Sequence, residues 1–193
     1  MPNYKHTPFD HVIIDDFIPS SLADKLLDEG FKQASLDSNA THKRYHETLR
    51  SDRHESDLSP LFAEVLSHVR DRLTREGWKL RPEKMPFVNQ IEVMLQATPP
   101  GYESHIHTDD PSKILTCVCY LDSDQEDGTW LYSRDFQPHQ IEWVSRRCLL
   151  FSPNRLITWH SYSNTGNKWR KTLIITLTTS DVFLSLLEDG YKA

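Results

Sequence analysis

The chain has 193 residues, of which 37% are hydrophobic and 26% charged, an ordinary make-up for a soluble globular fold with a substantial core. Its formal charge of −6 argues against broad binding to a nucleic-acid backbone, and no apolar run approaches the ~20 residues of a membrane span. The odd set of three cysteines, Cys117, Cys119 and Cys148, argues against a disulfide framework, and residues 1–6 lack the apolar segment of a secretory signal, so reduced thiols and a cytoplasmic location are expected.

In chain order, His11-Val12-Ile13-Ile14, within residues 9–18, reads as a strand. A helix is expected from Pro19-Ser20-Ser21 to about Ala34, with Leu22, Leu26, Leu27 and Phe31 at helical spacing. Residues 35–57 are polar and read as a long connection, in which Arg44, Tyr45, Arg50 and Arg53 are candidates to engage an acidic group on a substrate. A second helix has Ser59 as N-cap, Pro60 at its first position, an apolar stripe from Leu61 to Leu73, and Gly77 as its end. From Pro86 the pattern changes to short strands, expected at 87–96, 102–108, 113–121, 129–133, 140–144, 147–151, 156–162 and 170–179. Turn signals such as Pro99-Pro100-Gly101, Asp127-Gly128 and Thr165-Gly166-Asn167 separate them. Eight short strands preceded by helices predict a mainly β fold with flanking α-helices, specifically a double-stranded β-helix, or jelly roll. One domain is expected over residues 1–193, with helical support at about 1–85, a core at about 86–180 and a short helix in the tail after Asp181.

Within these strands lie His107 and Asp109, two apart and on one strand face, then His160 53 positions later. Two histidines and one carboxylate form the facial triad of non-haem Fe(II) sites, which leaves positions open for co-substrate and O2. His105 would share a face with His107 and is placed beside the ligands or at the pocket rim. Arg170, 10 residues after His160, opens an otherwise apolar strand, where an unpaired guanidinium is costly to bury. It suits a carboxylate, which it can grip with two parallel hydrogen bonds, and Thr172 shares its face and can add a hydroxyl. Trp130 and Tyr132, two apart, read as sandwich core ahead of pocket lining.

With these residues in view, the chain resembles the Fe(II)- and 2-oxoglutarate-dependent dioxygenases, nearest to their prolyl-hydroxylase-like branch. The stretch Val12-Ile13-Ile14-Asp15-Asp16-Phe17-Ile18-Pro19 is similar to that family's first strand and helix start. His107, Asp109 and His160 match its metal ligands, and Arg170 with Thr172 its co-substrate site. The strand from Lys113 to Leu121 is similar to one whose Thr and Tyr face 2-oxoglutarate, here Thr116 and Tyr120. The resemblance implies hydroxylation of an unactivated C–H bond in an amino acid, a peptidyl side chain or a small metabolite, with 2-oxoglutarate and O2 converted to succinate and CO2. The retained Asp109 speaks against halogenation. Thr176 stands where nucleic-acid demethylases carry a second arginine, so nucleic acid is not the expected substrate. The family often has Gly-Gly where this chain has Asp127-Gly128-Thr129. Two other readings stay open: a cupin-type metalloprotein using His105, His107 and His160 without 2-oxoglutarate, and a non-catalytic jelly-roll binding or sensor module.

Overall fold

A computed structural model describes residues 1–34, 43–50, 52, 58–122 and 127–181. Two sheets face each other. The larger has seven strands, β1 (Asn3–Lys5), β2 (His11–Ile14), β3 (Lys43–Arg50), β4 (Gln90–Thr98), β6 (Lys113–Tyr120), β9 (Cys148–Phe151) and β11 (Arg170–Thr178), in the order β1-β2-β9-β6-β11-β4-β3. The smaller holds β5 (Tyr102–Glu103), β7 (Thr129–Tyr132), β8 (Pro138–Ile141) and β10 (His160–Asn164), in the order β5-β10-β7-β8. The strand pairings are antiparallel. This is the expected jelly roll.

Period-two alternation gives the larger sheet two apolar faces. Leu115, Cys117 and Cys119 of β6 and Leu173, Ile175 and Leu177 of β11 pack outward with Leu22, Leu26, Phe62, Val65 and Val69 of the helices. Full burial of each such side chain contributes roughly 1.5–3 kcal/mol. The other face looks to the smaller sheet and buries Phe9, Tyr120, Leu131, Trp143, Leu149 and Phe151 in a second cluster. The helices therefore back one sheet, and the space between the sheets is left for the site. No helix among the described residues is long and apolar enough to cross a membrane.

The first helical stretch is not one helix. It runs as α1 (Ser20–Lys25), a π-helical turn (Leu26–Gly30) and α2 (Phe31–Ala34). The widened turn sets Gly30 against Leu95, where a Cβ would lie 2.3 Å from Leu95 Cδ1. The second helix, α3 (Pro60–Leu80), is capped as expected, Ser59 Oγ accepting from Phe62 N at 3.5 Å. It runs through Gly77 instead of ending there. That glycine serves close packing, since a Cβ would stand 2.6 Å from Met85 Sδ.

The main correction falls in residues 35–57, which are not all connection. β3 pairs along β4 over its whole length, from Lys43↔Ala97 to Arg50↔Gln90. Its helix-facing residues are Tyr45, stacked on Phe62 at 4.9 Å, Glu47 and buried Leu49. Glu47 hides the alternation by putting a charge on the covered side. It is tolerated there because Tyr45 Oη donates to it, as does Ser59 N at 2.7 Å. Arg53 lies outside the described residues, as does the expected tail helix beyond Asp181.

Four strands also differ in extent, one being the strand expected at 87–96, which runs Gln90–Thr98 after a short helical turn at Met85–Phe87. The one expected at 102–108 shortens to Tyr102–Glu103, after which His107 joins His160 in an isolated bridge. The one expected at 156–162 begins only at His160, because Asn154 captures the preceding turn: Leu156 N donates to its Oδ1 at 2.9 Å, and Thr158 Oγ1 donates to its backbone O at 2.8 Å. The one expected at 140–144 is Pro138–Ile141, an edge strand where the proline costs no ladder bond.

Glu76 on α3 is fully buried among groups that favour its carboxylate form. Burial pushes its carboxyl up from the usual 4.5, but hydrogen bonds from Tyr4, from Arg75 Nε at 3.0 Å and from Lys79 Nζ at 3.4 Å pull it below that value. A depressed folded pKa stabilises above the unfolded value, and that stabilisation is lost as pH falls through the folded one. Thermal melts from pH 7 downward should therefore show Glu76→Gln less stable at neutral pH, with the gap to wild type closing below about pH 4.5. A gap constant across that range would show that folding does not lower the pKa of Glu76.

Candidate active site

His107 and His160 form an antiparallel backbone pair, His107 N donating to His160 O at 3.0 Å and His160 N to His107 O at 2.9 Å. Their rings stand 4.4 Å apart. Each Nδ1 lies against a carbonyl that can only accept, His105 O at 2.8 Å and Thr158 O at 3.0 Å. Each Nδ1 is therefore placed to carry the ring proton, which in the neutral imidazole leaves the lone pair on Nε2. Burial lowers the pKa of His160, which favours the neutral, ligating form.

Asp109 comes from the loop before β6. Lys113 Nζ donates to its Oδ1 and Thr116 Oγ1 to its Oδ2, each at 2.7 Å. Burial works against this carboxylate, but the charge of Lys113, the neighbouring His160 ring and the two hydrogen bonds outweigh it and hold the carboxyl below its usual range. One ligand atom each from His107, Asp109 and His160 lie within 4.8 Å of one another. His105 contributes its carbonyl; its side chain is exposed and outside this cluster, so the cupin-type set is not assembled.

Arg170 lies on the inner face of β11, only 2% exposed. Its guanidinium carbon sits 4.6 Å from the Tyr162 ring centre, 4.8 Å from Trp143 and 5.8 Å from Tyr120. Nη2 donates to Thr129 Oγ1 at 3.5 Å, Nε has no hydrogen-bond partner, and no carboxylate among the described residues pairs with the group. Aromatic faces offset only part of the cost of a buried cation. The arrangement therefore favours an anionic guest. Tyr120 Oη donates to Thr129 Oγ1 at 2.8 Å, and Thr172, buried beside Arg170, donates to Gln96 O at 3.4 Å. Thr116 shares the inner face with Tyr120, with its hydroxyl committed to Asp109.

Trp130 and Tyr132 are not sandwich core. The inward positions of β7 are Thr129 and Leu131, so the two aromatics face out and line a groove of about 430 Å³ with Phe136 and Pro138. The cage residues Trp143 and Tyr162 were absent from the sequence reading. Tyr162 had a usable signal, being two residues from His160 and so on its face. Trp143 follows β8 in a loop, and no periodicity marks it.

No protein-family model matches the sequence, and no curated protein matches it significantly. Solved structures do match in fold. A Pseudomonas putida prolyl-4-hydroxylase superposes with a TM-score of 0.63 at 16% identity, over 88% of this chain and 92% of that one. HygX from Streptomyces hygroscopicus, solved with nickel and 2-oxoglutarate bound, gives 0.63 at 11% identity over 89% and 83%. A Trichoplax adhaerens prolyl hydroxylase in complex with a hypoxia inducible factor peptide fragment gives 0.59 at 16% over 87% and 83%. At these identities the shared property is the fold.

Proposed function

We propose that this chain is an Fe(II)- and 2-oxoglutarate-dependent oxygenase that hydroxylates an unactivated C–H bond of an amino acid, a peptidyl side chain or a small metabolite. The observation that carries the reading is the pairing of a three-residue ligand cluster with a buried guanidinium that has no anionic partner among the described residues, between the same two sheets. The donor set fits the ion: two neutral imidazole nitrogens and one carboxylate match Fe(II) and leave room for further ligands. The guanidinium, Thr172 and Tyr120 fit the far carboxylate of 2-oxoglutarate. Fe(II), bound with 2-oxoglutarate and O2, supplies the oxidising power for hydroxylation, with succinate and CO2 as co-products.

The residues of the chain position and shield. His107, Asp109 and His160 hold the ion, while Lys113 and Thr116 fix the rotation of the Asp109 carboxylate. Tyr120, Trp143 and Tyr162 keep water from the Arg170 end and fix the guanidinium plane. HygX and the prolyl hydroxylases support the reading by fold, and the peptide bound to the Trichoplax protein keeps a peptidyl substrate within it.

The test is an anaerobic titration of metal-free protein with Fe(II) and then 2-oxoglutarate, watching for the visible charge-transfer band of a chelated 2-oxo acid. Saturation at one equivalent is expected. Metal binding without a band would remove 2-oxoglutarate from the reading. Arg170→Gln removes charge-assisted bonds of ~1.5–3 kcal/mol and should raise the KM for 2-oxoglutarate by about 10- to 150-fold. An unchanged KM would detach Arg170 from the co-substrate.

A further inference from the structure

A row of side chains on β3 faces the catalytic side without a role in holding metal or co-substrate. Arg44, His46 and Thr48 pair across to Gln96, Met94 and Glu92 of β4, which pair in turn with Thr172, Ile174 and Thr176 of β11. The inner face of β3 therefore carries Arg44, His46, Thr48 and Arg50, all exposed. A one-residue slip would exchange the two faces. The packing of Tyr45 on Phe62, the burial of Leu49 and the Glu47–Ser59 hydrogen bond forbid it. In a chain with a net charge of −6, two arginines and a histidine thus share the inner face of the sheet's edge strand. The acid on the same face, Glu92, accepts from Thr176 Oγ1 at 3.0 Å.

Arg44 is the member tied to the site. Its Nε donates to Gln96 Oε1 at 3.1 Å. Gln96 is 3% exposed, and its Nε2 reaches Tyr162 Oη at 3.1 Å and Thr98 Oγ1 at 3.4 Å. Those contacts fix the amide with its oxygen toward Arg44. Tyr162 lies two residues from His160 on β10 and packs its ring on Arg170. Arg44 is therefore one buried amide away from the wall of the Arg170 cage. Its terminal amino groups make no hydrogen bond to the described residues, and that planar pair matches a carboxylate in shape and charge.

We propose that Arg44 anchors a carboxylate of the primary substrate, with His46 and Arg50 lending positive field along its approach. This rests on the oxygenase reading and narrows its substrate class to carboxylate-bearing molecules. The test uses Fe(II)-loaded protein and measures succinate formation from 2-oxoglutarate with matched probes: the common L-amino acids and their N-acetyl derivatives, each as free acid and as carboxamide, and O-phosphoserine. At least one acid should stimulate turnover about 10-fold or more over its amide. Arg44→Gln should collapse that ratio toward one by raising KM with little change in kcat, and Arg44→Lys should restore part of it. Equal stimulation by acid and amide, an unchanged ratio in Arg44→Gln, stimulation by O-phosphoserine alone, or no stimulation by any probe overturns the proposal. The charge-transfer band of wild-type protein in the same samples separates the two levels. If it is present, only the anchor has failed; if it is missing, the oxygenase reading has failed with it.

Discussion

Asp109→Ala is expected to abolish stoichiometric Fe(II) binding and reduce turnover to background. Asp109 is the one anionic member of the ligand cluster, and it sits beside the cationic Lys113. Removing it leaves two imidazoles next to an ammonium that had been 2.7 Å from the lost carboxylate. A dication then meets fewer donors and an unscreened like charge. Loss of groups that merely support a metal ligand costs about 10- to 100-fold in metal affinity, so loss of the ligand with its charge should exceed ~100-fold. Anaerobic Fe(II) titration of the purified variant checks this. Near-wild-type affinity would show that the three residues do not bind the ion together. The fold should survive, since Asp109 lies in a loop and both sheets close without it.

Gly128→Ala should be the most destabilising of the small substitutions considered. A Cβ at this position would stand 1.6 Å from Ile141 O and 2.8 Å from Ile141 C. Both are backbone atoms, so no rotamer change can relieve the overlap. The adjacent Thr129↔Ile141 pair begins the β7–β8 ladder, which would have to separate. The expected loss is ~4 kcal/mol or more, the range reserved for severe clashes. For a chain of this size that corresponds to a melting temperature lower by roughly 8–16 °C. A second effect follows from position: Thr129 holds both Tyr120 and Arg170, so displacing β7 should also weaken 2-oxoglutarate binding. A melting temperature within ~2 °C of wild type would show that the two strands have slack at this point.

The core strands were legible because each carries unbroken apolar or period-two patterning, as in Lys113–Tyr120 and Arg170–Thr178. β3 was not, since Glu47 occupies a covered position and the exposed face alternates Arg, His, Thr and Arg. Its identity as a strand depends on partners remote in sequence, Ser59, Phe62 and β4. In the site, ligand chemistry made His107, Asp109 and His160 visible, and the cost of burying a guanidinium marked Arg170. The role of Lys113 and Thr116 beside Asp109 is set by the loop's fold-back, which local pattern does not encode. Trp130 and Tyr132 were misplaced because alternation groups them on one face without saying which face turns inward.

The reciprocal backbone bonds between His107 and His160 have a consequence for exchange kinetics. Two residues that exchange both N–H···O bonds are held at a fixed Cα separation whether or not an ion is bound. The two imidazoles would therefore meet an incoming ion as a single preformed chelate. Once one nitrogen has bound, the other is present at high effective concentration. An ion held by both would leave only when both let go, and a pair fixed by main-chain bonds would make that rarer than release from independent ligands. Residence time at the site would thus depend in part on a pair of main-chain hydrogen bonds.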